Sequence, residues 1–420
     1  GNLSVSQFRR EQDDSGFFVQ EEVNYNDKFI GTAGIRGDKS TNFGDANELF
    51  YFPKASLAVN LHNFDFWESN FINKFKPRIA YGEAGNFAPF GALFTTLVGN
   101  AIDGFPGIGV PGTLGAPSID PERQKELEFG LDASFLNNRV NVQATYYEKK
   151  VDDLILEAQN EPSSGFPEKF SNAGNLRNRG IELTLNADVI RNNNFNWNTN
   201  IIFFRNTSEI TQLDVAPFNL GGFGTGLGTF RIEEGKSVTQ IAGNNEDGDI
   251  VTLGDAAPDF QMTFTNNFDY NNFNLSFLWH LKQGGDNINL TTLLTDLGGV
   301  SPDYDDFSLD PTNELNNGDF RINALVNGLP DPFVQDASYL RLREISLKYQ
   351  VPAETVQSLF KGYVSNIEMG VTGRNLINIF DYNSYDPEVS NFGANGLSTG
   401  VEVTPFPSSK QYLFRVKMDF

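Results

Sequence analysis

Apolar side chains recur at every second position along this chain, and that period of two constrains the fold more than any other feature. Over 259–270 the even positions read Phe260, Met262, Phe264, Asn266, Phe268 and Tyr270, while the odd ones read Asp259, Gln261, Thr263, Thr265, Asn267 and Asp269. One face of such a strand is apolar and the other is wet. The next segment sets Phe273, Leu275, Phe277, Trp279 and Leu281 against Asn274, Ser276, His280 and Lys282, with Asn271-Asn272 as the hairpin turn between the two. The same alternation runs through 127–135, 140–146, 181–189 and 412–420. Weaker candidates lie near Leu3, Phe17, Phe29, Ala55, Arg78, Trp197, Tyr339 and Ile367. Together these predict about 14 antiparallel strands, many near the roughly 9–11 residues that a tilted membrane strand needs.

Composition agrees with an all-β chain. Forty glycines and abundant asparagine disfavour helices and favour turns, and 39 phenylalanines with 13 tyrosines make the apolar content large-ringed. No run approaches the roughly 18 apolar residues of a spanning helix, so a membrane would be entered as strands. With no cysteine and only His62 and His280, the chain has no disulfide framework and no Cys- or His-rich metal centre. A net charge of −23 sets its long-range field against phosphate backbones, which excludes nucleic acid as a non-specific partner. Gly1-Asn2-Leu3-Ser4 shows no targeting signal, and the chain reads as a piece of something longer.

The connections sort by length. Short ones are expected at 24–27, 137–138, 191–194 and 271–272, and two intermediate ones, 62–74 and 352–363, have room for a helical turn. Long ones, rich in Gly, Pro, Asp and Phe, are expected at 83–121, 208–257, 283–337 and 374–409, beyond ordinary loop lengths. A water-soluble β-sandwich also alternates apolar and polar residues. The side-sorted loops, the strand lengths and the Glu, Asp, Lys and Arg on the wet face instead predict a transmembrane β-barrel with a charged interior.

No enzyme is expected. Gly107-Ile108-Gly109-Val110-Pro111-Gly112 matches a dinucleotide fingerprint by letter, but Pro111 and the lack of a following helical period deny it a helix N-terminus. Gly396-Leu397-Ser398-Thr399-Gly400 matches a nucleophile elbow with no histidine after it. Asn245, Asp247 and Asp249 crowd oxygen atoms around Gly248 as a candidate Ca2+ turn, against the plainer reading of a solvated turn, since no glutamate stands at the twelfth position. Asp303, Asp305, Asp306 and Asp310 form a second acidic cluster, and His280 is expected to hydrogen-bond on the wet face. Phe87, Phe90, Phe94, Phe105, Phe218, Phe223, Phe230 and Phe307 fall in the long loops, where they either pack the loops or meet a ligand or partner. Trp67, Trp197 and Trp279 all lie outside those loops, which weakens a glycan ligand and leaves a peptide or other nutrient open.

Several segments carry a resemblance: Arg36-Gly37-Asp38-Lys39-Ser40-Thr41-Asn42-Phe43-Gly44, Lys76-Pro77-Arg78-Ile79-Ala80-Tyr81-Gly82-Glu83, Asn172-Ala173-Gly174-Asn175-Leu176-Arg177-Asn178-Arg179-Gly180-Ile181-Glu182, Ala337-Ser338-Tyr339-Leu340-Arg341-Leu342-Arg343-Glu344-Ile345-Ser346-Leu347, Thr372-Gly373-Arg374-Asn375-Leu376 and Tyr385-Asp386-Pro387-Glu388. In this order they resemble the C-terminal barrel portion of TonB-dependent outer-membrane transporters of the SusC-like, starch-utilisation-type branch. The resemblance implies a plugged barrel of roughly 22 strands, of which 1–420 would be the C-terminal part, with the plug and first strands absent. It implies location in the bacterial outer membrane with the long loops outside the cell, where Ser301 and Ser398 would be accessible. It also implies TonB-dependent import of an oligomeric nutrient, glycan or peptide, together with the TonB complex acting through the plug and a SusD-like surface lipoprotein. Phe420 resembles the terminal aromatic signal of barrel assembly. A stand-alone passive porin of about 14 strands is the alternative; it would require the first and last strands to pair with each other. A surface protein that uses the barrel only to display loops is a further rival.

Overall fold

In the computed structural model, residues 9–42, 45, 47–102, 105–110, 112–391 and 399–420 are described. The strand candidate near Leu3, Pro111 and Ser398 lie outside them. The molecule is built on one antiparallel sheet of 13 strands in strict sequence order. These are β1 (Asp14–Tyr25), β2 (Phe29–Ser40), β3 (Phe50–Val59), β4 (Ile72–Asn86), β5 (Glu122–Phe135), β6 (Val140–Asp152), β7 (Gly174–Arg191), β8 (Phe195–Leu213), β9 (Phe260–Tyr270), β10 (Phe273–Gln283), β11 (Tyr339–Gln350), β12 (Asn366–Ile379) and β13 (Gln411–Asp419). Each corresponds to an expected strand. Phe420 lies just past β13 and is exposed.

Cross-strand register turns the alternation into two surfaces. Pro77, Leu131, Ala144, Leu183, Phe203, Met262, Leu281, Leu340 and Ile379 stand side by side across nine strands, an apolar row on the outward face. One residue along, the inward row reads Arg78, Gly130, Thr145, Glu182, Phe204, Gln261, Lys282 and Tyr339. An apolar outside and a polar inside are the reverse of a soluble domain and fit a barrel wall set in lipid. Gly180 is needed on the inward face of β7: a Cβ there would lie 2.3 Å from the Tyr147 ring, whose hydroxyl donates to Asn206.

The tight turns use asparagine and aspartate where the chain must enter φ > 0, at Asn26, Asp27, Asn137, Asn138 and Asn271. Of the two intermediate links, one holds a 3-10 turn (Leu61–Asn63) and the other a helix (Ala353–Phe360). At the opposite end the strands run further than the sequence suggested, so the long connections are 87–121, 214–259, 284–338 and 380–410. A further link at 153–173 also rises at this end, with its own hairpin of Ile155–Gln159 and Glu168–Asn172. Ser301 is buried and its hydroxyl donates to Asp296, so it is a poor reporter of loop exposure, contrary to expectation.

Among the described residues β1 pairs only with β2 and β13 only with β12, so the sheet does not close on itself. Phe264 and Thr265 are neighbours near the middle of β9 with opposite orientations. Phe264→Arg should cost about 2–4 kcal/mol, as a cation at mid-bilayer does, whereas Thr265→Arg should be tolerated. Urea titration of the intact protein in lipid vesicles, read by heat-modifiable gel migration, checks the difference.

Candidate functional site

The long connections do not fold singly. Phe230 and Ile241 from 214–259, Ile288, Leu290, Leu293 and Phe333 from 284–338, and Val401 from 380–410 form one buried core above the wall. Backbone pairing reinforces it, because Asp286–Asn289 pairs antiparallel with Val334–Asp336 and parallel with Val401–Glu402. Gly243 lets the first two connections approach closely, since a Cβ there would sit 2.3 Å from Pro330 Cγ. In 284–338 two helices lie on this core, α1 (Leu290–Leu297) and α2 (Asn317–Val326), capped by the side chains of Asn289 and Asn316. Smaller cores continue the crown: Phe218 and Ile232 meet Leu154 and Leu156, and Ala88, Ala92 and Leu93 meet Ile155 and Phe170.

Two ionic networks hold this crown. The first joins it to the inner wall. Arg341 of β11 is completely buried, and its guanidinium donates to Asp386 at 2.5 Å and to Glu388 at 2.6 Å. Arg343 donates to both oxygens of Glu388, and the Tyr339 hydroxyl donates to the same carboxylate at 3.1 Å. Asp386 also accepts from Ser408 at 2.5 Å and from the Glu388 amide at 3.0 Å. A bulge makes the pair of arginines possible: the register slips between Leu342 and Glu344, Arg343 is the extra residue, and β12 compensates with Asn375 at φ 53°. Arg343 also donates to Nδ1 of His280 at 2.8 Å. Because arginine only donates, Nδ1 must accept, so the proton sits on Nε2, which donates to Gln261 at 3.0 Å. Burial raises the Asp386 and Glu388 carboxyls, but the hydrogen bonds from Ser408 and Arg341 to the one and from Arg343 to the other outweigh it and hold both below the usual range.

The second network lies inside the crown. Arg321 of α2 is buried and forks onto Asp296 at 2.6 and 2.8 Å and onto Asp303 at 2.7 and 2.8 Å. Asn383 donates to Asp303 at 2.8 Å, tying in the 380–410 connection. Burial raises the Asp303 carboxyl, yet the bonds from Arg321 and Asn383 bring it down to about 2. Asp310 is held at about 2 by the amides of Leu315 and Thr312 and the Thr312 hydroxyl. Two members of the acidic cluster are thus spent on structure. In the candidate Ca2+ turn, the Asn245 side-chain oxygen accepts from the amides of Asp247 at 3.1 Å and Asp249 at 2.8 Å, while both aspartates face solvent.

The loop phenylalanines divide. Phe218 and Phe230 are core, whereas Phe90, Phe94, Phe105, Phe223 and Phe307 are exposed and Phe87 is half-buried. The Arg10 guanidinium lies 5.6 Å over the Phe90 ring. Sequence reasoning singled out neither Arg321 nor Arg341 as the centre of a network. The motifs around Tyr339–Glu344 and Tyr385–Glu388 were visible, but their contact across some 45 residues was not.

The family model "TonB dependent receptor-like, beta-barrel" matches residues 1–367. The chain belongs to that family. TonB-dependent receptor P26 of Formosa agariphila is 30% identical over 91% of this chain and 43% of its own length. TonB-dependent receptor P3 of the same organism is 27% identical over 100% of this chain and 46% of its own. TonB-dependent receptor SusC of Bacteroides thetaiotaomicron is 24% identical over 95% and 43%. Among solved structures, one described as the RagAB peptide transporter superposes with a TM-score of 0.76 at 21% identity, over 97% of this chain and 47% of the other. The chain therefore spans a little under half the length of these relatives, with the SusC/RagA type of receptor barrel as its fold.

Breaking the wall-to-crown network by Arg341→Ala leaves Asp386 without its cation, while Glu388 keeps Arg343, and should destabilise the crown by about 3–5 kcal/mol. Limited proteolysis of the intact receptor should then cut within 380–410, with the wall uncut. Asp303 and Asp310 stabilise the crown fully above 3.8, and that contribution is lost as pH falls toward about 2. The thermal midpoint of the crown should accordingly fall steeply below about pH 4; an unchanged midpoint down to pH 2.5 would contradict the role given to these carboxylates.

Proposed function

We propose that this chain supplies part of the barrel wall and the outer crown of a TonB-dependent importer that takes an oligomeric nutrient across the outer membrane. The observation that carries the reading is the sheet itself: 13 strands, apolar outside and charged inside, with both edges unpaired among the described residues. A self-sufficient passive porin needs those edges to meet, whereas an importer of larger strand number completes them with further strands around a plug. The inward row of Arg78, Glu182, Gln261 and Lys282 offers such a plug a polar, hydrogen-bonding wall.

On this reading the long connections face the outside of the cell and meet a SusD-like lipoprotein. Their exposed apolar rings support that partner: Phe94 and Phe105 at one side and Phe307 and Phe406 on the larger crown stand in solvent without cover. The nutrient class favoured is a peptide. The exposed loop aromatics are phenylalanines rather than tryptophan platforms, and a structure with this fold is described as a peptide transporter.

Cysteine labelling of intact cells tests the orientation. Val300→Cys and Phe406→Cys, at positions 70% and 97% exposed, should react with a membrane-impermeant maleimide; reaction only after permeabilisation would sink the topology. Purification of the whole receptor in mild detergent should bring down a lipoprotein burying well over roughly 1,000 Å². A monomeric particle with self-packed loops would overturn the partnership.

A further inference from the structure

The outward face holds a feature that import does not use. On β8 the outward residues Phe195, Trp197, Thr199, Ile201 and Phe203 cover nine positions, matching the roughly 9–11 that cross the hydrocarbon. The next outward residue is Arg205. The change is equally abrupt on the neighbouring strands, where Leu127 is followed by Lys125 and Arg123, Tyr146 by Glu148 and Lys150, and Ile181 by Arg179 and Arg177. Beyond β8 the outward residues Leu340, Ile377 and Ile379 stay apolar to the top of the wall. The charged band is thus densest on β4–β8, with Lys39 of β2 outward beyond it, and lies on the long-connection side of the apolar belt.

Within the band the carboxylates are all engaged: Glu83 with Arg123 at 2.7 Å, Asp152 with Lys125 at 2.7 Å, Glu148 with Arg179 at 2.6 Å, and Glu209 with Arg177. Cations remain in excess. Arg205 is exposed, stands in the same cross-strand row as Tyr146 and Ile181, and has no ion pair or hydrogen-bond partner among the described residues. Lys236, also exposed and without an ion pair among them, lines a groove of about 280 Å³ together with Thr207, Ser237, Arg179 and the Arg177–Glu209 pair. A cation at the lipid boundary, flanked by apolar side chains, is tolerated where its head reaches water or an anion. In a chain of net charge −23, a local surplus of cations at that height asks for a specific counter-charge.

We propose that this face binds the phosphates of anionic lipid headgroups in the leaflet on the long-connection side, with Arg205 and Lys236 as the gripping cations. The inference rests on the outer-membrane barrel reading, since only a membrane-set wall presents this band to headgroups. Arg205 stands at the rim of the apolar belt, and the groove above it supplies the unpaired cation of Lys236 and the hydroxyls of Thr207 and Ser237.

The test uses the intact receptor reconstituted in phosphatidylcholine nanodiscs doped with bisphosphorylated lipid A or with its dephosphorylated form, and counts retained lipid by native mass spectrometry. Retention should favour the phosphorylated form. The double variant Arg205→Gln, Lys236→Gln should reduce it by about 25-fold, at roughly fivefold per cation, while Lys54→Gln on the inner wall leaves it unchanged. Arg205→Gln alone removes a side chain with no ion pair among the described residues, so it keeps the test open if the double variant misfolds. Equal retention of both lipids, or loss of retention on adding inorganic phosphate alone, would overturn the lipid assignment. Failure of the wild-type receptor to insert at all would instead count against the barrel reading.

Discussion

Hydrocarbon offers a peptide group nothing to bond with, and that single deficit dictates the wall of this molecule. Every amide in the belt has to find its partner on a neighbouring strand, so the strands run in order, antiparallel, each bonded to the one before and the one after. Closure is then a requirement, because an unpaired edge in lipid is as costly as an unpaired strand interior. Among the described residues the sheet meets the requirement everywhere except at the outer edges of β1 and β13. Outside the belt the constraint lifts, and there the strands overshoot, bulge and give way to connections with cores of their own.

The crown obeys different physics. It is held by ordinary apolar burial around Phe230, Ile241 and Phe333, and by two arginines that lose all contact with water. Burying a guanidinium is expensive, and an apolar replacement of equal shape could be as stable. What the ionic pairs add is direction: Arg341 accepts only a geometry that places Asp386 and Glu388 at its two ends, so it fixes where the 380–410 connection crosses the wall.

The strands were legible because lipid and lumen enforce a period of two on every residue they touch, and the odd–even split over Phe260–Tyr270 or in β10 leaves little choice of register. The asparagine turns were legible for the same local reason. Long-range pairings were not. Nothing in the spacing of Arg321 reveals that it forks onto Asp296 and Asp303; Asp303 instead reads as part of an acidic cluster with Asp305, Asp306 and Asp310. The loop phenylalanines show the same limit: Phe230 and Phe307 look alike in sequence, and only the fold buries one and exposes the other. Strand ends were underestimated because polar residues such as those at the top of β8 lose their alternation once they leave the belt.

Because Phe230, Ile288 and Val401 come from three different connections yet share one core, the crown has no separable loops. Evolution cannot trade one of them for a homologous loop of another length without exposing the apolar surface of the other two. Diversity among such receptors therefore has to arise either by point changes on the rim or by exchanging all three connections in one recombination event, and a designer grafting new specificity onto this wall inherits the same unit of exchange.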